Sequence, residues 1–361
     1  MAIIQNTLYL TTPKTVVLRD HLTLRIEIEK QTRLTVPIHH LESICAFGQV
    51  VVTPPAMALC WAHQVAVHYH TENGYLLAQV IGSGDTRYLL RRAQYAAADS
   101  PEDAARLARQ FVAGKLQNSR SNLLRSAREV DRDSDRAELA GAADELARLI
   151  RQLSVALESE PDNAPSVDPD CGLRETLDPI RGLEGLGAKI YFSVFHCMLK
   201  QQRENFKFVN RTRRPPRDRV NCLLSFIYAL VRHDCLAALT TAGLDPYVGW
   251  LHATRAGRPA CALDLMEEFR PCLAERLALT LINRRQIEPK HFRKREGGAV
   301  EFTDQGRREV IQAWQRRKQT EIKHPLFKQN IRIGQVFSIQ AKLLARKLRG
   351  DIPDYIPFII K

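Results

Sequence analysis

Residues 100–111, Ser100-Pro-Glu-Asp-Ala-Ala-Arg-Leu-Ala-Arg-Gln-Phe111, carry the start signals of an α-helix. Serine suits the position before the first helical residue, proline suits the first turn, and the two acids favour the positive end of the helix. Helical patterns extend outward from this stretch, from about Leu89 to about Leu348. Because a different pattern dominates before Leu89, we expect the chain to change structural class there.

The residues before Leu89 show the patterns of short β-strands. In Leu22-Thr-Leu-Arg-Ile-Glu-Ile28 apolar and polar residues alternate, as they do in a strand that buries one face. Asn73-Gly74 is a hairpin signal between two such runs. Ile38–Cys45 and Pro54–Ala62 favour short helices within this β region.

This order predicts an α+β protein with two domains. Residues 1–88 form a small β-rich N-terminal domain, and residues 89–361 form a larger all-α C-terminal domain. Strands followed by helices argue against a doubly wound sheet. Residues 158–172 are acidic and contain several prolines, so we expect an exposed or disordered loop between helices.

Composition excludes several classes of protein. No run approaches the roughly 18 apolar residues of a membrane span, and the first residues lack a secretory signal. The eight cysteines form no C-x-x-C pair, and most lie in apolar runs where free cysteine packs as a small hydrophobe. We therefore predict a cytoplasmic protein without membrane partners.

Positive charge is concentrated at one end of the chain. Residues 270–361 contain 21 lysines and arginines against 9 acids, which accounts for +12 of the total charge of +13. A basic cluster can be no more than a solvated surface, but an excess this one-sided favours a polyanionic partner.

The segment Leu244–Pro271 combines a histidine with several acids. His252 lies in a turn-rich stretch before an apolar helix, and that helix carries Asp264 and Glu267 three residues apart, on one face. Two carboxylates and an imidazole suit Mn²⁺ or Mg²⁺. The alternatives are a packed structural histidine and acids on a solvated helix face.

Glu184 is a third candidate acid. It lies among glycines at the start of a helix rich in Leu, Ile, Tyr and Phe. A carboxylate in such a buried helix needs a partner, because an unpaired buried charge is costly. Taken alone, a helix-capping role is the better interpretation. The prediction of a site rests on its convergence with His252 and Glu267.

Two further groups of residues suggest ligands. The segment 210–221 is densely basic, and Arg213, Arg214 and Arg217 suit phosphate contacts, although an ordinary polar loop explains them too. His63, His68 and His70 lie in the β region, and His68 and His70 face the same side of a predicted strand. A metal site there is possible, but the sequence offers no evident fourth ligand, so surface or packing roles are favoured.

Several ordered segments together resemble the CRISPR-associated Cas1 endonuclease and integrase family. They are Arg91–Gln94, Lys115–Asn118, Leu183–Ala188, Arg213–Pro216, Val220–Leu230, Leu244–Pro246, His252, Leu263–Pro271 and Gln340–Arg346. Their spacing and the final Tyr355-Ile-Pro-Phe358 are most similar to the type I-C branch.

The resemblance implies a β-rich N-terminal domain, a helical C-terminal domain and a homodimer formed largely through the N-terminal domains. It implies that Glu184, His252 and Glu267 hold a divalent metal ion, with Asp264 as a further catalytic acid beside them. Glu268 points about 100° away on the helix and is left out.

The resemblance also implies a function and partners. In this family the 3′-hydroxyl of a captured double-stranded DNA fragment attacks a phosphodiester at a CRISPR repeat, and water at the same site gives nuclease activity. The expected protein partner is Cas2, in a heterohexamer-type complex. A stand-alone structure-specific nuclease and a non-catalytic basic DNA-binding scaffold remain alternatives.

The basic C-terminal quarter then has an expected role in holding DNA. We predict backbone contacts, from composition alone, for Arg284, Arg285, Arg293, Lys294 and Arg295.

Overall fold

The computed structural model describes residues 7–41, 43–71, 76–80, 88–155, 169–212 and 215–360. Its first part is rich in strands and the rest is mostly helical, which confirms the predicted order of elements. The described strands of the first part are β1 (Thr7–Leu10), β2 (Thr15–Asp20), β3 (Thr23–Ile28), β4 (Gln31–Pro37), β5 (Ser43–Phe47), β6 (Val50–Val52), β7 (Ala66–His70) and β8 (Leu76–Val80), with helix α1 (Pro54–Ala62) between β6 and β7.

Within the described residues these strands form two sheets. One has the order β4-β3-β2-β6 and the other has the order β1-β5-β7-β8. Strands β1, β5 and β7 run parallel, and β8 runs antiparallel to β7. In β3, Leu24 and Ile26 are buried while Arg25 between them is only partly buried, which confirms the predicted alternation.

The predicted helix over Ile38–Cys45 is wrong. Only Ile38–His40 form a helical turn, and the chain then enters β5, whose five residues are all buried. A strand buried on both faces has no polar-apolar alternation, so hydrophobic period cannot distinguish it from a buried helix. The helix predicted over Pro54–Ala62 is confirmed as α1. Asn73 and Gly74 lie outside the described residues.

Long helices form most of the remaining chain. They are α2 (Tyr88–Asp99), α3 (Pro101–Glu129), α4 (Asp133–Val155), α5 (Pro169–Ser193), α6 (Arg219–Ala242), α7 (Ala260–Met266), α8 (Arg276–Asn283), α9 (Asp304–Gln319) and α10 (Ile333–Leu348). Ser100 caps α3 as predicted, because its hydroxyl accepts a hydrogen bond from the backbone N–H of Asp103. Of the predicted loop 158–172, residues 158–168 lie outside the described residues, and α5 already begins at Pro169.

Short strands modify the all-helical expectation for the C-terminal part. Strand β9 (Phe292–Lys294) pairs with β10 (Val300–Phe302), and β11 (Glu321–Lys323) pairs with β12 (Asn330–Arg332), in two antiparallel hairpins.

Helix α6 is long and apolar enough to cross a membrane, but 83% of its most apolar window is buried inside the protein. Its composition is therefore that of a central core helix.

Strand β5 contributes to both hydrophobic cores of the molecule. Ile44 and Ala46 pack in the core of the strand-rich part, while Cys45 and Phe47, on the other face of the strand, belong to the core of the helical part. Residues 81–87 lie outside the described residues, so the predicted division into domains 1–88 and 89–361 stays a prediction.

A buried ion pair ties the two parts together. The Nζ of Lys318 on α9 lies 3.1 Å from Oδ1 of Asp234 on α6, and both side chains are inaccessible to solvent. Trp314 donates to the same carboxylate over 2.8 Å, and Lys318 also donates to the hydroxyl of Thr7 on β1 over 3.0 Å. The charge of Asp234 is thus satisfied only when β1, α6 and α9 are all in place.

Replacing Lys318 alone should destabilise the fold strongly. In Lys318→Met the carboxylate of Asp234 stays buried without its cation, which costs about 3–5 kcal/mol when one partner of a buried pair is removed. The double variant Asp234→Leu/Lys318→Met removes both charges and should lose less. Urea unfolding of the three proteins measures these differences, and equal losses in single and double variants would contradict the assigned role of the pair.

Candidate metal-binding active site

The side chain of Asp264 organises the loop that carries His252. Asp264 lies on α7 and is fully buried. Its carboxylate accepts hydrogen bonds from the backbone N–H groups of Trp250 (2.6 Å), Leu251 (3.0 Å) and His252 (3.0 Å). Gly249 permits this close approach, because a Cβ there would lie 2.5 Å from an oxygen of Asp264 and 2.7 Å from the backbone of α7.

The same carboxylate orients the imidazole of His252. Nδ1 of His252 lies 2.7 Å from Oδ1 of Asp264. A carboxylate can only accept hydrogen bonds, so Nδ1 carries a proton, and it is Nε2 that has the lone pair in the neutral imidazole. Nε2 points to Glu267 and lies 3.7 Å from its Oε1. Asp264 therefore acts as a positioning residue for His252 rather than as an available metal ligand.

Two other side chains fix the loop that precedes and includes His252. The buried amide of Gln94 on α2 donates to the carbonyl oxygens of Asp245 and Val248 over 2.7 Å each, and accepts from the N–H of Asp245. Arg181 on α5 donates to the carbonyl oxygen of Leu251 over 2.8 Å. Since Glu184 lies about one turn after Arg181, this bond brings the helix of Glu184 to the loop of His252.

A buried lysine lies between the two candidate carboxylate ligands. Nζ of Lys115 on α3 contacts Oε1 of Glu184 and lies 2.7 Å from Oε2 of Glu267. Arg270 approaches the other oxygen of Glu267 to within 3.0 Å. Burial alone would raise the pKa of Glu267, but Arg270, Lys115 and His252 outweigh it and lower that pKa to about 2.

The residues present fit a divalent cation. Glu184, His252 and Glu267 offer two carboxylates and an imidazole, a donor set that suits Mn²⁺ or Mg²⁺. The ammonium group of Lys115 is a stand-in cation at the same place. With the ammonium group between the carboxylates, the donor atoms of these three described residues are not all within 4.8 Å of one another. Glu184 is 27% exposed, so the group is open to solvent on its side.

Glu268 faces away from this group, as predicted, although α7 ends at Met266 and the predicted helix gives way to a turn at Glu267 and Glu268. Its buried carboxylate accepts hydrogen bonds from the hydroxyl of Tyr355 (2.7 Å), the backbone N–H of Phe358 (2.7 Å) and the amide of Gln340 (3.3 Å). Burial raises the pKa of Glu268 to about 8. Adjacent glutamates thus have separate tasks, and Glu268 anchors the C-terminal segment.

Sequence analysis did not identify Lys115 or Arg270 as members of the site. A signal existed for Lys115, because Phe111, Lys115, Asn118 and Asn122 share one face of α3 and all are buried. Polar and charged residues on the buried face of a helix are unusual and need partners. Long-range packing of α3 against α5 and α7 supplies those partners, and a single sequence does not display it.

The basic residues predicted to bind DNA are dispersed. Arg213 and Arg214 lie outside the described residues, and Arg217, Arg284, Arg285, Arg293, Lys294 and Arg295 are exposed. Arg293 and Arg295 both approach Glu301, at 3.6 and 2.6 Å, which offsets part of their charge.

Two clefts are lined by several basic residues. Arg284 lines a cleft of about 560 Å³ whose other basic residues are Arg125, Lys200, Arg276, Arg316 and Arg317. A second cleft, of about 610 Å³, is lined by Arg211, Arg232, Arg270 and Arg307 around Tyr228, and we refer to it as the Tyr228 cleft. Because Arg270 contacts Glu267, this cleft adjoins the candidate ligands.

Comparisons with known proteins agree on one family. The family model described as CRISPR associated protein Cas1 matches residues 8–316. The chain is 45% identical over 361 residues to the CRISPR-associated endonuclease Cas1 1 of Moorella thermoacetica, which covers 100% of both chains.

Solved structures show the same fold. A chain of a Cas6-RT-Cas1–Cas2 complex is 24% identical with a TM-score of 0.77, and the match covers 99% of this chain and 36% of that one. A casposase bound to its integration product is 21% identical with a TM-score of 0.78, covering 99% and 95% of the two chains.

Replacing Lys115 tests whether its ammonium group stands in for a metal ion. In Lys115→Met the carboxylates of Glu184 and Glu267 face each other without a shared cation, so we expect the metal-free variant to lose about 3–5 kcal/mol of unfolding free energy. Mn²⁺ should raise its melting temperature more than that of the unaltered protein, because the cation no longer competes with the lysine.

Lys189→Met, at an exposed position of α5, is the control and should match the unaltered protein in both measurements. Differential scanning fluorimetry over a Mn²⁺ titration gives both readouts. Equal Mn²⁺ responses in Lys115→Met and Lys189→Met would exclude the competition.

Proposed function

This chain belongs to the Cas1 family of CRISPR-associated proteins, and on that premise we propose that it is a metal-dependent DNA integrase and endonuclease of CRISPR adaptation. One observation carries the proposal. The carboxylates of Glu184 and Glu267 converge on the buried ammonium group of Lys115, a place that a divalent cation can take, and Nε2 of His252 lies 3.7 Å from Glu267. The casposase bound to its integration product, a protein of the same fold, supports the integrase part of the proposal.

The proposed ligands are Glu184, Glu267 and Nε2 of His252. When bound, Mn²⁺ or Mg²⁺ would polarise a phosphodiester and offset the charge that develops on it. Asp264 keeps the proton of His252 on Nδ1 and so leaves Nε2 free to bind. We expect Lys115 to turn from between the carboxylates toward the phosphate, where it and Arg270 supply positive charge.

The proposed reaction is a transesterification. The 3′-oxygen of a captured fragment forms a bond to phosphorus at a repeat boundary, while the bond from phosphorus to the displaced 3′-oxygen breaks. The attacking hydroxyl gives up a proton and the displaced oxygen takes one up, so no further reactant is consumed. Water in place of the hydroxyl gives hydrolysis, which accounts for endonuclease activity at the same site.

We propose that double-stranded DNA lies across the basic surfaces beside the site. The Tyr228 cleft adjoins Glu267 through Arg270, whose guanidinium lies 4.8 Å from the ring centroid of Tyr228. The cleft around Arg284 and the exposed basic residues of the β9–β10 hairpin extend the positive surface. Such residues suit contacts to phosphate, which position DNA without reading its sequence.

We further propose a homodimer that acts with Cas2 in a heterohexamer-type complex in the cytoplasm, of a type I-C-like system. The solved Cas6-RT-Cas1–Cas2 complex, of the same fold, supports a Cas2 partner. A dimer through the N-terminal part is supported by large apolar side chains that are exposed there. Those described are Leu22, Leu34, Val51, Trp61 and Leu77.

Strand transfer tests the proposed ligands. Glu184→Gln, His252→Ala and Glu267→Gln should each lose transfer and cleavage by a factor of about 100 or more, because each removes a metal ligand. The assay uses a labelled duplex with 3′-hydroxyl ends, a supercoiled plasmid carrying the repeat, Mn²⁺ and Cas2. Glu204→Gln, at an exposed position away from the site, should retain full activity.

The outcomes separate the alternatives. Folded ligand variants that remain active would remove the metal assignment. Metal-dependent cleavage of branched DNA without transfer, with or without Cas2, would favour the stand-alone nuclease. DNA binding without either reaction in the unaltered protein would favour the non-catalytic scaffold.

Neutralising the β9–β10 hairpin tests its place in the DNA interface. In the triple variant Arg293→Gln/Lys294→Gln/Arg295→Gln the slope of log affinity against log salt should fall by about two, at about 0.9 for each lost phosphate contact. This fall corresponds to about two lost phosphate contacts rather than three, because Glu301 already offsets part of the charge of Arg293 and Arg295. Fluorescence anisotropy with duplex DNA from low to moderate salt measures the slope.

Lys30→Gln, which removes an exposed charge from the N-terminal part, is the control for this measurement. An unaltered slope in the triple variant would place the hairpin outside the interface.

A further inference from the structure

Four buried side chains at the junction of β5, β7 and α6 form a cluster that the proposed catalysis does not use. They are Cys45, His68, His70 and His233, each with no more than 3% of its surface exposed. Histidine is rarely concentrated in this way inside a protein core, because its ring nitrogens need partners. The cluster therefore needs an explanation other than packing.

The sheet brings the first three residues to one face. Strands β5 and β7 are parallel neighbours in which Cys45 lies opposite His68, and Phe47 lies opposite His70. Alternate residues of a strand point to the same side, so Cys45, His68 and His70 share the face that packs against the helices. Sequence analysis placed His68 and His70 on one face but found no further donor.

Helix α6 supplies the missing donor. A ring nitrogen of His233, a ring nitrogen of His70 and Sγ of Cys45 all lie within 4.8 Å of one another. The ring of His68 meets that of His233 edge-on, with 4.4 Å between the ring centroids, and the rings of His70 and His233 are 5.3 Å apart. Two strands and one helix thus bring three donors together, and the ring of His68 packs beside them against His233.

The donor atoms lack other partners. Both ring nitrogens of His68, Nδ1 of His70 and Nδ1 of His233 are buried and have no hydrogen-bond partner among the described residues. Nε2 of His233 has one long contact, 3.4 Å from the hydroxyl of Ser43. Each buried unsatisfied polar group costs about 1–3 kcal/mol, so four of them on one cluster point to a ligand that satisfies them together.

Burial raises the pKa of the Cys45 thiol well above its usual value, so a metal ion has to displace that proton, whereas the histidines need no such change. Burial lowers the pKa of His68 to about 3 and that of His70 to about 4, so these rings are neutral, which is the form that binds metal ions. The charged neighbours are Arg232, Lys318 and Asp234, and the last two form the ion pair described above. The charges of Lys318 and Asp234 offset each other, so Arg232 leaves one net positive charge beside the cluster, and that charge adds to burial in lowering the pKa of His70 and His233.

We propose that Cys45, His68, His70 and His233 bind one Zn²⁺ ion as a structural site. One thiolate with three imidazoles suits zinc, whose bonds of about 2.0–2.3 Å set tetrahedral donors roughly 3.3–3.8 Å apart. Cys45, His70 and His233 would have to close from separations within 4.8 Å, and the ring of His68 would have to turn toward them. Four protein ligands leave no open position for substrate. Binding releases the thiol proton of Cys45 to solvent and forms the sulfur–zinc bond.

The site would join the N-terminal sheet to the central helix of the helical part. Its ligands differ in kind from those of the proposed active site, where two carboxylates favour Mn²⁺ or Mg²⁺. The two sites are therefore distinguishable by metal. Zinc bound to the folded protein alone raises the free energy of unfolding by mass action, so its removal should lower the melting temperature.

Metal replacement tests the proposal. The full-length protein, stripped with a chelator and titrated with Co²⁺, should bind about one equivalent and develop the visible bands of tetrahedral cobalt with a sulfur-to-cobalt charge-transfer band in the near ultraviolet. Zn²⁺ should abolish these bands, be retained at about one ion per chain and raise the melting temperature. The same results are expected in the Glu184→Gln/Glu267→Gln background, because the two sites are independent.

Ligand variants identify the donors. Cys45→Ser should lose the charge-transfer band, and His70→Ala should lose the retained zinc. Cys60→Ser changes another buried cysteine of the N-terminal part and should behave like the unaltered protein.

Three results would overturn the proposal. The first is the absence of tetrahedral cobalt bands in the unaltered protein, and the second is loss of the bands in the Glu184→Gln/Glu267→Gln background. The third is a sulfur-to-cobalt charge-transfer band of equal intensity in Cys45→Ser and Cys60→Ser. Because the first two measurements use proteins with the cluster intact, they decide the question even where a ligand variant fails to fold.

Discussion

The carboxylate of Asp264 is the constraint on which the candidate active site depends. It is buried beyond the reach of solvent, so it must be satisfied by the protein, and it takes three consecutive backbone N–H groups and the imidazole of His252. These bonds determine where the loop runs, which tautomer His252 adopts and where its free nitrogen points. Gly249 follows from the same constraint, because no side chain fits between that loop and α7.

Other buried carboxylates of the molecule are paired with cationic side chains. Glu267 is matched by Lys115 and Arg270, and Asp234 by Lys318. The pairs of Glu267 with Lys115 and of Asp234 with Lys318 join elements that are distant in sequence, so these buried charges are neutralised only when the helices that carry them are packed together. Buried charges cost more than they stabilise unless they are fully paired, which argues that these are kept for geometry and chemistry rather than for stability.

Much of the fold followed from local sequence, but the site followed only in part. Alternation in β3, the capping serine of α3 and the proline start of α1 are local signals, and each was confirmed. The spacing of Asp264 and Glu267 identified one helix face. Local patterns failed at β5, where burial on both faces removes the alternation, and at Lys115, whose partners lie on other helices. His233 illustrates the same limit, because only the fold brings it to His68 and His70.

Glu268 has a consequence for the synthesis of the protein. The turn after α7 that carries Glu267 also carries Glu268, whose hydrogen-bond donors Gln340, Tyr355 and Phe358 lie 72, 87 and 90 positions further along. A chain grows from its N-terminus, and its earlier parts can fold while later ones are still being made. Here the ribosome must pass residue 358 before this buried carboxylate has its partners. Nascent chains that stop short of that point therefore leave Glu268, and the turn that it shares with Glu267, without this support.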